Sequence, residues 1–423
     1  MCKIKNLSLI SLLLAVLFVS VEAFSPSPLT KSQKRTVSSV ASLPDHDNTI
    51  MEERSASISR RSAITTSAQA LAILLVGSAN PFVANALYGS SFPQEARTIV
   101  ITGCNSGIGY DAVKRMAERG HKIIMACRSL EKATDAAIQI QQELGNVKAN
   151  LVPKECDLID LKSIDAFVED LKRDGLRIDA LCLNAGVARN TAAKDILRTK
   201  QAFELTVGTN HLGHFYLQNK LYTLMAQKSR IVVTASGVHD PESPGGAQGS
   251  KATLGNMKGL ENAVISGDGV FDMIDGGAFD ADKAYKDSKL CNVLYTRELQ
   301  KRLDSLGEKE IKVNCFNPGL IVSTGLFRDQ SQLFTKIFDV VATDLLKVGE
   351  TVHWGGGALE YMTLDAAVGT KGGLFYSSDP GSSKYLDDAF GNQFKESKIS
   401  TEASDDAKAR RLWELSEKLV GLV

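Results

Sequence analysis

The sequence predicts an α/β fold, a doubly wound parallel sheet with helices on both faces, in a single domain interrupted by one insertion. Short apolar runs rich in β-branched residues alternate with segments of helical spacing. The first run stops at a glycine-rich turn that opens a helix, and later runs end in small polar residues, where sheets of this class hold ligands. The strand segments are 97–101, 122–127, 149–152, 178–183, 230–234 and 311–316.

Composition sets the class. The chain has 423 residues, 43% hydrophobic and 23% charged, enough to bury a large core. The 49 basic and 49 acidic residues cancel and form no basic stripe, so no nucleic-acid partner is expected. Cys2, Cys104, Cys127, Cys156, Cys182, Cys291 and Cys315 include no C-x-x-C, which excludes a zinc framework and a disulfide scaffold. His211 and His214 form the one close histidine pair. Without a third ligand nearby they indicate a structural or positioning role, and no metal is expected.

The first 86 residues read as an address. Residues 1–23 have a basic start (Lys3, Lys5), an apolar run and a small-residue end at Glu22-Ala23, the pattern of a cleaved signal peptide. Residues 24–86 begin Phe24-Ser25-Pro26, continue rich in Ser, Thr, Lys and Arg, and resemble a plastid transit region of algae with complex plastids. Within them Arg60-Arg61, the apolar stretch 68–76 and Ala84-Asn85-Ala86 match a twin-arginine signal. Read literally, that signal leads to the thylakoid lumen, whereas an NADPH enzyme is expected in the stroma; the alternative is a segment that holds the protein on the thylakoid surface, and the side of the membrane is left open. The folded domain is expected over 87–423.

The glycine turn Gly103-Cys104-Asn105-Ser106-Gly107-Ile108-Gly109 follows a strand and opens a helix. Gly103 permits a tight turn, Gly107 lets a pyrophosphate approach the backbone, and Gly109 lets the helix pack on the strand, with the helix N-terminus facing the phosphates. The G-x-x-x-G-x-G spacing resembles the short-chain dehydrogenase/reductase family and its Rossmann-type sheet. Arg128 ends the second strand where an acidic residue would bind a ribose hydroxyl, so with Lys132 it suits the 2′-phosphate of NADPH, the alternative being a solvated loop residue. Asp157 and Leu158 are placed for the adenine, and Asn184, Ala185 and Gly186 for the cofactor cleft.

Tyr285 and Lys289 are four apart, on one face of a helix. The ammonium is expected to favour the phenolate and lower a pKa otherwise near about 10, making Tyr285 the proton donor. By resemblance to the family, Asn210 links Lys289 to a water chain. The family's serine falls at Ala235 or Ser236, and Ser236 is carried over. Pro318 and Gly319 return the chain over the nicotinamide, and Ser323 or Thr324 binds its carboxamide.

Between the fifth strand and Tyr285 lies an insertion, 237–281, rich in Gly, Ser and Asp, expected as a functional loop. Its segments Lys251-Ala252-Thr253-Leu254-Gly255-Asn256 and Asp275-Gly276-Gly277-Ala278-Phe279-Asp280, together with Ser323-Thr324-Gly325-Leu326 and the tail from Glu402, resemble the light-dependent protochlorophyllide oxidoreductases, a branch of the short-chain family. The likeness runs from Arg97 to Val423. It implies NADPH-dependent, light-driven reduction of a tetrapyrrole by hydride transfer, and as partners the substrate, the thylakoid surface and a second copy of the chain.

The chain departs from that branch at two positions. Leu320 replaces the cysteine after Pro-Gly, which the branch uses in substrate binding or proton delivery, and Leu183 replaces a cysteine before Asn-Ala. They keep open a light-independent carbonyl reductase acting on a pigment, retinoid-like or lipid substrate, and a thylakoid pigment- or NADPH-binding protein. Residues 319–346 are apolar enough for a lid over a flat substrate, or for plain core or a membrane-facing patch. The last helix is expected to start at Ser404 as N-cap and to pack through Leu412, Leu415, Leu419 and Leu422.

Overall fold

Eight strands form one sheet in the order β3-β2-β1-β4-β5-β6-β7-β8. They are β1 (Thr98–Thr102), β2 (Lys122–Cys127), β3 (Asn150–Glu155), β4 (Ile178–Leu183), β5 (Met225–Thr234), β6 (Lys312–Phe316), β7 (Leu374–Ser377) and β8 (Lys395–Glu396). Neighbours pair in parallel except β7 with β8. The order reverses between β1 and β4, which places a crevice at their carboxyl ends. This computed structural model describes residues 92–93, 95–321, 349–384 and 394–423. The expected leader, 1–86, and the greater part of the lid, with Ser323 and Thr324, lie outside the described residues. So does the boundary at Leu87; the folded unit spans Gly89–Val423.

Both faces of the sheet are buried, which is why its strands read as near-continuous apolar runs. Ile99 and Ile101 of β1, with Ile123 and Met125 of β2, pack on one face against α1 (Gly107–Glu118) and α2 (Leu130–Leu144). Val100, Ile124, Leu181 and Leu183 pack on the other against α3 (Leu161–Arg173) and α4 (His214–Leu221). Cys182 falls with the first face and Leu183 with the second, as strand alternation requires. Pro153 sits in β3, at the sheet edge, where a missing N–H is tolerated.

The insertion is built rather than loose. It contains a 3-10 turn, Gly237–His239, and α5 (Lys258–Ser266), and it sends Leu254, Met257, Leu260 and Ile274 into the second core. The long α6 (Ala281–Ser305) holds it by buried charge. Lys286 Nζ donates to the Ser250 carbonyl at 2.7 Å and to Asp282 at 2.9 Å, and also reaches the Gln248 carbonyl. Asp287 accepts from Lys283 at 2.5 Å and from the Thr253 amide at 2.9 Å.

One helix and two strands lie outside the sequence expectation. The helix α7 (Val352–Leu364) is buried along nearly its whole length and packs on α1; a Cβ on Gly356 would stand 2.1 Å from Asp111 Oδ2. The strands β7 and β8 extend the sheet past β6. A third difference concerns α8 (Asp406–Leu419): its N-cap is Asp405, which accepts from Ala407 N at 2.9 Å and Lys408 N at 3.0 Å. Ser404 is not the cap because its hydroxyl donates back to the Thr401 carbonyl at 2.6 Å. Leu412 and Leu415 are buried against α6 and Leu419 and Leu422 pack beside them, as the spacing requires. Among the described residues no helix is long and apolar enough to cross a membrane.

Candidate active site

At the end of β1, Gly103 takes φ +64, and a Cβ there would stand 2.6 Å from the Ala185 Cα. Only glycine fits that turn beneath Asn184-Ala185-Gly186. Gly109 is as crowded, but its neighbours are the Gly103 carbonyl at 2.5 Å and Asn184 Nδ2 at 2.6 Å. Its smallness therefore serves the turn itself more than helix–strand packing. Gly107 has φ +59. The helix α1 starts after an extended Ser106, and no side chain caps its first turn. Its leading N–H groups lack intrahelical partners, and an anion is the ligand they suit.

Arg128, the first residue past β2, is exposed, as are Lys132 one turn on and Asn105 and Ser106 at the glycine turn. Asp157 lies past β3; burial raises its pKa while the Arg128 charge lowers it, and Leu158 is buried beside it. Asn184 is turned inward: its Nδ2 donates to the Thr102 and Gly103 carbonyls at 3.0 and 3.2 Å, and its Oδ1 accepts from the Thr234 hydroxyl at 3.2 Å. It ties the ends of β1, β4 and β5 together instead of reaching outward.

Lys289 is buried on α6 and donates to the Thr234 carbonyl at 2.8 Å, with its Nζ 5.6 Å from the Tyr285 ring centre. Ser236, not the buried Ala235, is the side chain close enough to act on the Tyr285 phenol. The expected lowering of Tyr285 by Lys289 is corrected here: burial raises the phenol above its ordinary value, and the opposing influence is Ser236. A phenol held protonated is the form that can give a proton away.

Asn210 lies in a π-helix, Gly208–Gly213, a distortion often found at functional sites. Its amide is committed: Oδ1 accepts from Val187 N at 2.8 Å, and Nδ2 donates to the Val187 carbonyl at 2.9 Å and the Ser288 hydroxyl at 3.0 Å. The side chain therefore braces α6 between Tyr285 and Lys289 and leaves Lys289 to Thr234. Gly319, with φ +89, follows Pro318 and presses on Glu350, while Leu320 bridges to Gly349. Sequence reasoning missed Thr102, Thr234 and His239. The last is buried, donates through Nδ1 to the Ser236 carbonyl at 2.7 Å and accepts at Nε2 from Ser400 N at 3.4 Å. Its position three residues past Ser236 was the available signal.

Residues 97–255 match the short chain dehydrogenase model. A protochlorophyllide reductase of Cucumis sativus, designated chloroplastic, is 37% identical over 333 residues, covering 77% of this chain and 78% of its own length. The chain belongs to the protochlorophyllide reductase family of short-chain dehydrogenases. Protochlorophyllide reductase A of Oryza sativa subsp. japonica is 32% identical across 95% of this chain and 98% of its own. Among solved structures, an uncharacterised protein from Mycobacterium paratuberculosis is 27% identical with a TM-score of 0.54, over 78% of this chain and 96% of that one. As a member of this family the chain is an oxidoreductase.

Two expected results follow from this geometry. If Arg128 holds the 2′-phosphate, Arg128→Asp replaces attraction by repulsion, and the preference for NADPH over NADH should fall by about 2 kcal/mol or more, read from fluorescence titrations with both cofactors. Equal wild-type affinity for the two would remove Arg128 from the site. Burial lowers Lys289 to about 8. The charged form is the one that can hold a ribose, so kcat/KM for NADPH should fall as pH rises through about 8, and Lys289→Met should lack that limb. Stability runs the other way: between about 8 and about 10.4 the unfolded chain binds more protons, so stability gains as pH rises.

Proposed function

We propose that this protein reduces protochlorophyllide with NADPH in the plastid, under light, as a step of chlorophyll formation. The observation that carries the reading is Tyr285 held protonated by burial, with Ser236 on it and Lys289 beside it, in a chain 37% identical to a protochlorophyllide reductase. The uncapped start of α1, the left-handed turn at Gly103 and the exposed Arg128 fit a phosphorylated dinucleotide. Asn105, Ser106, Gly107, Ile108 and Gly109 would hold its pyrophosphate, Arg128 and Lys132 its 2′-phosphate, and Asp157 and Leu158 its adenine. Ala185, Gly186, Pro318 and Gly319 would flank the nicotinamide end, with Tyr285 and Lys289 at the ribose. When bound, NADPH supplies the hydride.

Tyr285 then gives the proton to the neighbouring carbon of the reduced double bond, Ser236 orients the phenol, and Lys289 supplies positive charge as the phenolate forms. We place the protein peripherally on the thylakoid, with residues 1–86 as its address.

Leu320 favours keeping one second reading, a light-independent carbonyl reductase, because a leucine can neither donate a proton nor accept a hydrogen bond. The deciding experiment mixes the mature chain, NADPH and protochlorophyllide in darkness and then illuminates. Product absorption on illumination is expected, and Leu320→Cys should raise its rate. No photoreduction by either chain, with dark reduction of a carbonyl by both, would replace the proposal with the second reading.

A further inference from the structure

A buried polar chain crosses from the floor of the cofactor cleft to α6, and His214 is its middle link. At one end, the Thr102 hydroxyl accepts from Asn184 N at 2.9 Å and Ala185 N at 3.0 Å. A hydroxyl has two acceptor sites and one proton, so these two amides fill its acceptor capacity. The proton then has two neighbours, the Cys182 carbonyl at 3.3 Å and His214 Nε2 at 2.9 Å. The imidazole is the nearer.

The other ring nitrogen fixes the assignment. His214 Nδ1 lies 3.2 Å from the Asn210 carbonyl, which can only accept. Nδ1 therefore carries the proton, and Nε2 is left as the acceptor that the Thr102 hydroxyl needs. Burial and the nearby Lys289 charge both oppose a second proton, holding His214 down at about 3, so the ring is neutral. From Asn210 the chain continues through Nδ2 to the Ser288 hydroxyl at 3.0 Å, which donates to the Tyr285 carbonyl at 2.6 Å. His214 and Asn210 are fully enclosed, and each group in the chain has a partner. A satisfied buried network of this kind rigidifies what it joins.

We propose that His214 is a positioning residue that locks the Thr102–Asn184–Ala185 floor of the cofactor cleft to the Asn210–Ser288 brace of α6, so that cofactor seat and proton donor keep one geometry. This rests on the reading of Tyr285 as proton donor. His211 is excluded from the role because its Nε2 is turned to Ser416 on α8 at 2.9 Å. The requirement on residue 214 is one acceptor and one donor on a single planar group, which glutamine can also supply and leucine cannot.

The test compares His214→Leu with His214→Gln. Each is measured for NADPH affinity by nicotinamide fluorescence, for turnover at saturating NADPH and substrate, and for thermal unfolding. His214→Leu should lose turnover by ~10²-fold, the scale of a small misplacement of reacting groups, and should weaken NADPH several-fold. His214→Gln should recover most of both. Wild-type behaviour of His214→Leu overturns the proposal. So does loss of turnover with unchanged NADPH affinity, since the floor would then be independent of α6. A glutamine variant as impaired as the leucine one, both with the wild-type unfolding midpoint, also overturns it. Should His214→Leu fail to fold, nitrogen NMR of the histidine-labelled wild-type chain decides: a neutral Nδ1–H ring at neutral pH, absent in His214→Gln, is expected, and an Nε2–H ring or an imidazolium refutes it. The NADPH and NMR arms do not depend on the substrate, so an inactive wild type with protochlorophyllide would overturn the proposed function without deciding His214.

Discussion

Tyr285→Phe should lower turnover by ~10² to 10⁴-fold while NADPH binds nearly as it does to the wild type. The phenol stands between Ser236 and Lys289, whereas Lys286 and Asp287 are buried in the grip on the insertion and Lys289 is occupied by the Thr234 carbonyl. Phenylalanine keeps the ring and its packing, so the loss isolates the proton. Burial raises Tyr285, which keeps the phenol protonated through the neutral range. The cost of that protection falls on the phenolate left after transfer, and Ser236 and Lys289 stand where they can offset it. Ser236→Ala should therefore lose rate in the same direction by a smaller factor. Single-turnover measurements with NADPH already bound give the check. Unchanged turnover in Tyr285→Phe would move the donor to water.

What the sequence made legible was local. Strand, glycine turn and helix at Thr98–Glu118 lie within about one βα unit, and Tyr285 and Lys289 share one helical face, so spacing alone reveals both. What it hid depends on distant partners. His214 meets Thr102 across 112 positions and Leu254 meets Glu402 across 148, so neither the polar chain nor the folded insertion leaves a periodic signature. The helix α7 is buried on nearly every side, so its apolar residues do not fall in the single stripe that marks a helix. The sign of the Tyr285 shift was also hidden. Local spacing brings a cation near, but burial by the whole fold sets the sign, and the influence that opposes it comes from Ser236. Ser404 failed as a cap for a smaller reason, a hydroxyl turned back to the Thr401 carbonyl.

Asp287→Ala should lower stability by about 3–5 kcal/mol, the scale of breaking a buried ion pair by removing one partner. The Asp287 side chain has no exposure, and it holds Lys283 at 2.5 Å and the Thr253 amide at 2.9 Å. Deleting it strands that amide. Lys283 keeps Asp275 at 3.0 Å and the Thr253 carbonyl at 2.7 Å, which places the loss toward the lower end of the range. Asp287→Asn retains an oxygen for the Thr253 amide and should cost less, so the difference between the two variants measures the amide bond separately from the charge. The consequence reaches the site, because the insertion leaves β5 at Ser236 and rejoins the chain at α6 four residues before Tyr285. A loosened insertion frees Ser236, and turnover should fall together with resistance to proteolysis between residues 237 and 281. Thermal unfolding and limited proteolysis of both variants test this. If Asp287→Ala melts with the wild type and its insertion stays uncut, Lys286 alone carries the hold, and Lys286→Ala should then produce the missing loss.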